Sequence, residues 1–384
     1  MKEVFVESHN ILSSLGNTTV ENFSRIKNGN SGVQLHNRAD IDDSPFWASI
    51  ISEEQFKSLS DEIKDADDYS RFEQFLIASV KDALKTSSVD VADKKTIFIF
   101  STTKGSISLL EHSPLSPELY ERINLYHSGT LVADYFKSSN KPIVISNACV
   151  SGAVAILYAK RLLESGQYEN AIVAGADTVS RFVLSGFKSF QALSSGRCKP
   201  FSTTRDGINL GEAGAAVILT TKQERLSGQY KIQVSGGGVS NDSNHISGPS
   251  RTGEELSTAI NKAIETADLF HEDIDFISAH GTATLYNDEM EARAFGLSCL
   301  QKVPVNSLKG YFGHTLGAAG LVESIISIQS LKEGVVIPTL GFSERGVSPE
   351  INVCDKKIKI KMSHCLKTAS GFGGCNAALV FSKT

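Results

Sequence analysis

Three residues in this sequence combine reactive side chains with surroundings that leave them room to act: Cys149, His280 and His314. Cys149 follows the apolar run Pro142–Ser146 and precedes Val150-Ser151-Gly152-Ala153, where a helical pattern opens. A thiol at such a strand-to-helix turn lies near exposed backbone N–H groups and the positive end of the helix dipole. Both favour the thiolate, the form that attacks carbon. The competing reading is a buried cysteine serving as a small hydrophobe, the usual fate of a free thiol. Context alone leaves the two readings level.

His280 stands in FISAHGTATLYNDEMEA, directly after an apolar run and before Gly281-Thr282. A histidine at the mouth of a sheet can donate to a developing negative charge. It can equally be a core histidine satisfied by the backbone, and that reading is the stronger for the residue taken alone. His314 stands in SLKGYFGHTLGAAG, where Gly310, Gly313, Gly317 and Gly320 allow close backbone approach and Ala318 and Ala319 permit tight helix packing. Lys309, five residues earlier, could hold a carboxylate or orient its neighbours, though lysines are mostly solvated. One cysteine and two histidines without metal-ligand spacing fit thiol catalysis better than metal binding. The segment SGFGGCNAALVF places Phe372 between glycines ahead of a strand; such a turn can aim N–H groups into a site, or simply reverse the chain. Gly236-Gly237-Gly238 is a weak phosphate-loop signal that no G-x-x-x-x-G-K-[ST] strengthens.

These residues need elements to hold them. Short β-branched runs alternate with longer amphipathic stretches, the pattern of α/β layering. Strands are expected at Thr96–Phe100, Pro142–Ser146, Asn170–Ala174, Ala215–Thr220, Ile232–Gly236, Phe276–Ser278 and Ala377–Phe381. Helices are expected at Ser70–Leu84, Gly152–Leu163, Gly253–Ala267, Asp288–Gly296 and Gly317–Lys332. Ile143–Gly166 and Val305–Leu331 share the order strand, polar turn, helix, which fits a duplicated architecture. Asp43–Ser70 is acidic and irregular and receives no assignment, and Ser106–Ser138, with its two prolines, reads as a loop with a short helix. A chain of 384 residues can bury a sizeable core. A net charge of -5 and scattered basic residues give no reason to expect nucleic acid. No apolar stretch is long enough to cross a membrane, and the start MKEVFVESHN lacks the pattern of a signal peptide. Six cysteines without a C-x-x-C pair argue against a disulfide scaffold or zinc site and fit a reducing cytoplasm.

Taken together, NACVSG around Cys149, AHGTAT around His280, NSLKGYFGHTLGAAG around His314 and SGFGGCNA around Phe372 resemble the β-ketoacyl–carrier-protein synthases of the elongating type. So do KPFSTTRDGINLGEAGAAVIL from Lys199 and SNDSNHISGP from Ser240. The resemblance implies a thiolase-like fold, two similar βαβαβαββ halves in five layers, with residues 1–222 carrying Cys149 and residues 223–384 carrying His280, Lys309, His314 and the Phe372 loop. It implies that Cys149 takes an acyl group from an acyl-carrier protein, with the N–H groups of Cys149 and Phe372 as oxyanion hole. His280 and His314 would then stabilise the enolate formed from a malonyl-carrier protein. Lys309 and Glu323 match positions that organise the histidine region, and Asp288 one that supports the turn after His280. Thr282 and Thr284 match pantetheine-binding positions, and Phe372 an acyl-pocket gate. The family needs no redox cofactor or catalytic metal and usually forms a homodimer.

The histidine at 314, where thiolases have a cysteine and initiating synthases an asparagine, points to the elongating class. Two departures stand out: the N-terminus matches only loosely, and the stretch between Phe100 and Cys149 is shorter than in most members. The shortening puts acyl length and standard dimerisation in doubt and fits a specialised polyketide or polyene pathway. Two other classes remain open. One is a non-catalytic, chain-length-factor-like subunit of a heterodimer, against which the intact Cys149, His280, His314 and Lys309 speak. The other is a thioester hydrolase or acyltransferase, which would release no carbon dioxide.

Overall fold

The computed structural model describes residues 2–226, 228–242 and 248–384. Among these, eleven strands form the main sheet: β1 Phe5–Ser13, β2 Thr96–Ser101, β3 Ile143–Ile145, β4 Asn170–Asp177, β5 Ala213–Thr220, β6 Ile232–Asn241, β7 Phe276–Ser278, β8 Pro304–Asn306, β9 Asn352–Val353, β10 His364–Gly371 and β11 Cys375–Lys383. Their spatial order is β9-β8-β7-β10-β11-β6-β1-β5-β4-β2-β3. Read outward from the junction of β1 and β6, each half repeats one plan. β1-β5-β4-β2-β3 mirrors β6-β11-β10-β7-β8, with antiparallel pairs inside and parallel pairs outside. The halves join where Phe5 pairs with Gln233.

The main helices are α1 Arg71–Leu84, α2 Leu125–Tyr135, α3 Ser151–Glu164, α4 Arg181–Ser189, α5 Glu254–Thr266, α6 Leu285–Leu297 and α7 Ala319–Glu333. α3 and α7 pack on each other and touch strands of both halves, α1 covers β1, β4 and β5 on one outer face, and α5 covers β6, β10 and β11 on the other. The result is the five-layer αβαβα arrangement of a thiolase-like fold. Burial patterns follow from it. α1 is amphipathic, presenting Phe72, Phe75, Leu76 and Val80 to its sheet, each contributing roughly 1.5–3 kcal/mol by burial. Ser70 caps it, with Glu73 completing a capping box. α7 is sandwiched and buried on nearly every side, so it lacks a polar face.

Ser106–Ser138 is more ordered than a loop with a short helix. It holds a 3-10 turn at Ile107–Glu111, a helix at Pro117–Arg122 and then α2. Pro117 is the first helical residue, where a missing N–H costs nothing, and Ser116 caps it. The unassigned segment 43–70 contains a strand at Phe46–Ser49 and a helix at Glu53–Ser60. Gly236-Gly237-Gly238 is no phosphate loop. It lies inside β6, where a Cβ on Gly236 or Gly238 would stand 2.0 or 2.2 Å from carbonyl oxygens of α5, and one on Gly237 2.4 Å from Leu157 of α3. Side chains there would push away the helices on both faces.

Candidate active site

The loops that leave β3, β7, β8 and β10 all end in one place. Cys149 sits on a tight turn between β3 and α3 in which Ala148 adopts a left-handed φ of +44°. That conformation is costly for a residue with a Cβ and holds only because its surroundings enforce it. Gly371, at the end of β10, passes so close that a Cβ there would lie 3.0 Å from the Cys149 nitrogen. The Phe372 backbone N–H favours the Cys149 thiolate.

His280 is placed by a carboxylate the sequence reading did not single out. Glu291 on α6 accepts the N–H of His280 at 2.8 Å and of Gly281 at 2.6 Å, and receives Asn287 and Thr368 as well. One turn earlier, Asp288 accepts from Ala283 N–H at 3.2 Å and from Phe201 N–H at 2.7 Å. Asp288 thereby ties the turn after His280 to the KPFSTTRDG segment. The same segment fixes His314, whose N–H donates to Asn209 O at 2.7 Å while Gly211 N–H donates to His314 O at 3.0 Å. Gly313 makes this contact possible: its φ is +66°, and a Cβ there would lie 2.3 Å from Leu210 O. Asp177 at the end of β4 accepts from Gly317 N–H at 2.6 Å and from Thr102 and Thr103, binding the His314 loop to the first half.

The outcome is a convergence. Donor atoms of Cys149, His280 and His314 lie within 4.8 Å of one another, and the two imidazoles meet edge to face with centroids 5.2 Å apart. All three are buried at one wall of a cavity of about 530 Å³. Thr282 and Thr284 line it, their hydroxyls 2.9 Å apart. Gly248 and Pro249 line it too, whereas Ser243–Ser247 of the SNDSNHISGP stretch lie outside the described residues. The Phe372 ring covers the thiol side, stacked on Phe187 at 6.0 Å and tilted against Phe190 at 5.3 Å. Neither Phe187 of α4 nor Phe190 just past its end was singled out in the sequence; two aromatics at a three-residue spacing in GFKSFQ were the available signal. For Asp177 it was an acid closing the apolar run AIVAGAD, whereas Glu291, among Asp288, Glu289 and Arg293, carried no such signal.

Electrostatics corrects one expectation. Burial pushes the Cys149 thiol up to about 11, and the positive charges of Lys309 and Lys104 offset this only in part. Desolvation outweighs these charges and the Phe372 N–H, so the neutral thiol is the favoured resting form. Burial, then Lys309, holds both imidazoles well below the usual histidine value, with Lys367 acting in the same sense. Each is therefore neutral at pH 7, with one N–H to donate. Lys309 is not solvated; it is fully buried and paired with Glu323 of α7. The trio's donor atoms are close enough to hold a divalent ion, but binding would require the thiolate that burial opposes. A neutral thiol, two neutral imidazoles and converging N–H groups suit acyl transfer and stabilisation of an oxyanion.

Comparison with known proteins agrees with this geometry. Residues 1–225 match the profile of the beta-ketoacyl synthase N-terminal domain, and residues 232–343 that of the C-terminal domain. The chain belongs to the beta-ketoacyl synthase family. It is 29% identical over 418 aligned positions to the 3-oxoacyl-[acyl-carrier-protein] synthase 2 of Staphylococcus aureus (strain COL), covering all of this chain and 98% of the relative. The alignment exceeds 384 residues, so that synthase carries segments this chain lacks. Among solved structures, a chain of the ishigamide ketosynthase/chain length factor superposes with a TM-score of 0.91 at 24% identity, covering 99% of both chains. A chain of the ketosynthase–chain length factor complex from Xenorhabdus doucetiae gives 0.82 at 25%, covering 100% and 98%. The chain therefore shares its fold with chains of those two assemblies.

Proposed function

We propose that the chain is an elongating β-ketoacyl synthase that condenses an acyl group on Cys149 with a malonyl-carrier protein. The convergence of one thiol and two neutral imidazoles within 4.8 Å at the cavity wall carries this reading. In the first step the Cys149 sulfur attacks an acyl-carrier-protein thioester. A C–S bond forms as the carrier's C–S bond breaks, and the thiol proton leaves with the carrier's sulfur. In the second step the malonyl C–C bond breaks, carbon dioxide departs, and the electron pair moves onto the thioester oxygen as an enolate. His280 and His314 donate N–H to that oxygen; one such donor is typically worth about 3 kcal/mol. The enolate carbon attacks the acyl carbonyl, whose oxygen is received by the N–H groups of Cys149 and Phe372. Collapse expels the Cys149 sulfur, which regains a proton from water.

Placement supports the remaining roles of the proposal. Lys309, held by Glu323, sustains the histidine region, Asp288 supports the turn after His280, and Thr282 and Thr284 meet the pantetheine arm entering the cavity. Phe372 gates the acyl side. Residues 1–222 carry the nucleophile and residues 223–384 the remaining groups. The partners are acyl- and malonyl-loaded carrier proteins and a second copy of the chain, in the cytoplasm. A second reading, a subunit that works only beside a related synthase, is favoured by the likeness to ketosynthase–chain length factor assemblies.

Intact-protein mass spectrometry with a panel of acyl-carrier proteins, beside a Cys149→Ala control, tests the proposal. An acyl adduct confined to wild type, followed by carbon dioxide release and a β-ketoacyl product on adding malonyl-carrier protein, is expected. No adduct from any donor would transfer the case to the partner-dependent reading. An adduct without carbon dioxide release would make the chain a simple acyltransferase or hydrolase.

A further inference from the structure

Lys367, in the middle of β10, is fully buried and unused by the steps above. We propose that it is a positioning residue that sets a second positive charge behind the His280–His314 pair and so favours the enolate formed on decarboxylation. The proposal rests on the condensing reading and adds a residue to it.

The geometry is specific. The Lys367 ammonium lies 2.8 Å from Glu323 Oε2 and donates to the carbonyls of Ser278 at 3.1 Å, Ala279 at 3.3 Å and Thr368. Ser278 and Ala279 are the two residues immediately before His280. The next residue, Thr368, donates to Glu291, the carboxylate that receives the His280 and Gly281 N–H groups. Consecutive β10 side chains thus grip both flanks of the His280 turn.

Charge is the second part. Glu323 faces two ammonium groups, since Lys309 occupies its other oxygen. One carboxylate cannot neutralise both. The other titratable groups packed around the pair are Glu291 and Asp288 on α6, Asp177 on β4, Cys149, and Arg205 beside Asp288. Burial raises the pKa of all three of these carboxyl groups, which weakens them as counter-charges. A positive charge in a dry interior acts over a longer distance than one in water, and both imidazoles register Lys367. Burial lowers the Lys367 pKa and Glu323 beside it pulls the other way, so the ammonium is held at a cost. A lysine retained only to cap carbonyls could be replaced by a neutral donor.

That difference supplies the test. Lys367→Met removes charge and donors, while Lys367→Gln keeps an N–H donor without the charge. Carbon dioxide release from malonyl-carrier protein is measured as kcat and KM, beside the rate of Cys149 acylation. Both variants are expected to lose about tenfold or more in decarboxylation kcat, the scale of second-sphere effects, with KM and acylation within about twofold. A Lys367→Gln enzyme as fast as wild type would overturn the role of charge. Wild-type protein alone gives another reading by histidine NMR. Both imidazoles should titrate well below the usual histidine value, and titration of either near 6.5 would also overturn the proposal. If wild type releases no carbon dioxide, the condensing reading has failed; if it does and Lys367→Met matches it, only this inference has.

Discussion

Gly152 and Gly320 meet where α3 crosses α7, so closely that a Cβ on Gly320 would stand 2.3 Å from the nitrogen of Ala153. One on Gly152 would lie 2.8 Å from the Leu321 nitrogen. α3 begins two residues after Cys149, and α7 begins five after His314, so this backbone contact sets the distance between thiol and imidazole.

Gly320→Ala should therefore separate the two helices. Overpacking of this kind costs about 1–3 kcal/mol, and displacing reacting groups by about 1 Å costs about 100-fold. The expected enzyme is folded, melts lower, and has lost most condensing activity. Full activity with an unchanged melting temperature would show that the crossing has slack.

Phe190 packs against Phe372, the proposed gate. The Phe372 ring contacts both Phe187 and Phe190, and two glycines with left-handed φ, Gly373 and Gly374, follow it. Aromatic pairs are worth about 0.5–1.5 kcal/mol, so Phe190→Ala should raise the open population by about 2- to 10-fold. Rapid-quench measurement should show Cys149 acylating faster by a similar factor. Slower acylation would mean that Phe190 binds substrate and does not restrain the gate.

Cys149 should alkylate slowly at neutral pH. With its pKa pushed up to about 11, about one thiol in ten thousand is ionised at pH 7. Iodoacetamide labelling should accelerate with pH past 9 without a plateau, and Lys309→Met should move the curve higher still. A plateau by pH 8 would show an activated thiolate in the resting enzyme.

His280 links acid to stability. Its folded pKa lies well below 6.5, so as pH falls through 6.5 the unfolded chain takes up a proton that the folded chain refuses. Stability is lost in that direction, by about 1.4 kcal/mol per pH unit until the folded group titrates. Asp288, raised to about 7, works in the opposite sense between pH 7 and 4, so the comparison must be with a variant. His280→Asn should gain on wild type as pH falls below 6.5 in denaturant melts. Parallel curves would show that His280 protonates in the fold.

Short apolar runs and longer helix-forming stretches were enough to place β2, β4, β7, α1, α3, α5 and α7: the three strands are buried along their whole length and read as unbroken apolar runs, while α1 and α5 carry an apolar stripe of helical period. β1 was missed. Its Ser8, His9 and Asn10 look unlike an interior strand, and only the fold supplies their partners, among them Ala83 O for Ser8 and Asn17 O for Asn10. β10 hid for the same reason, with Lys367 at its centre.

Residue types and local order by themselves determined that Cys149, His280, His314 and Phe372 stand on turns beside strands, and the motifs around them identified the family. Their meeting was decided by the tertiary structure. Thiol and imidazoles are 131 and 165 positions apart in the chain, and only the repeated sheet order and the α3–α7 crossing bring them within 4.8 Å. Protonation was decided there as well. A sequence can show a cysteine near a helix start, but the depth of burial and the company of Lys309 and Lys367 exist only after folding, and they set the charge on every group at the site.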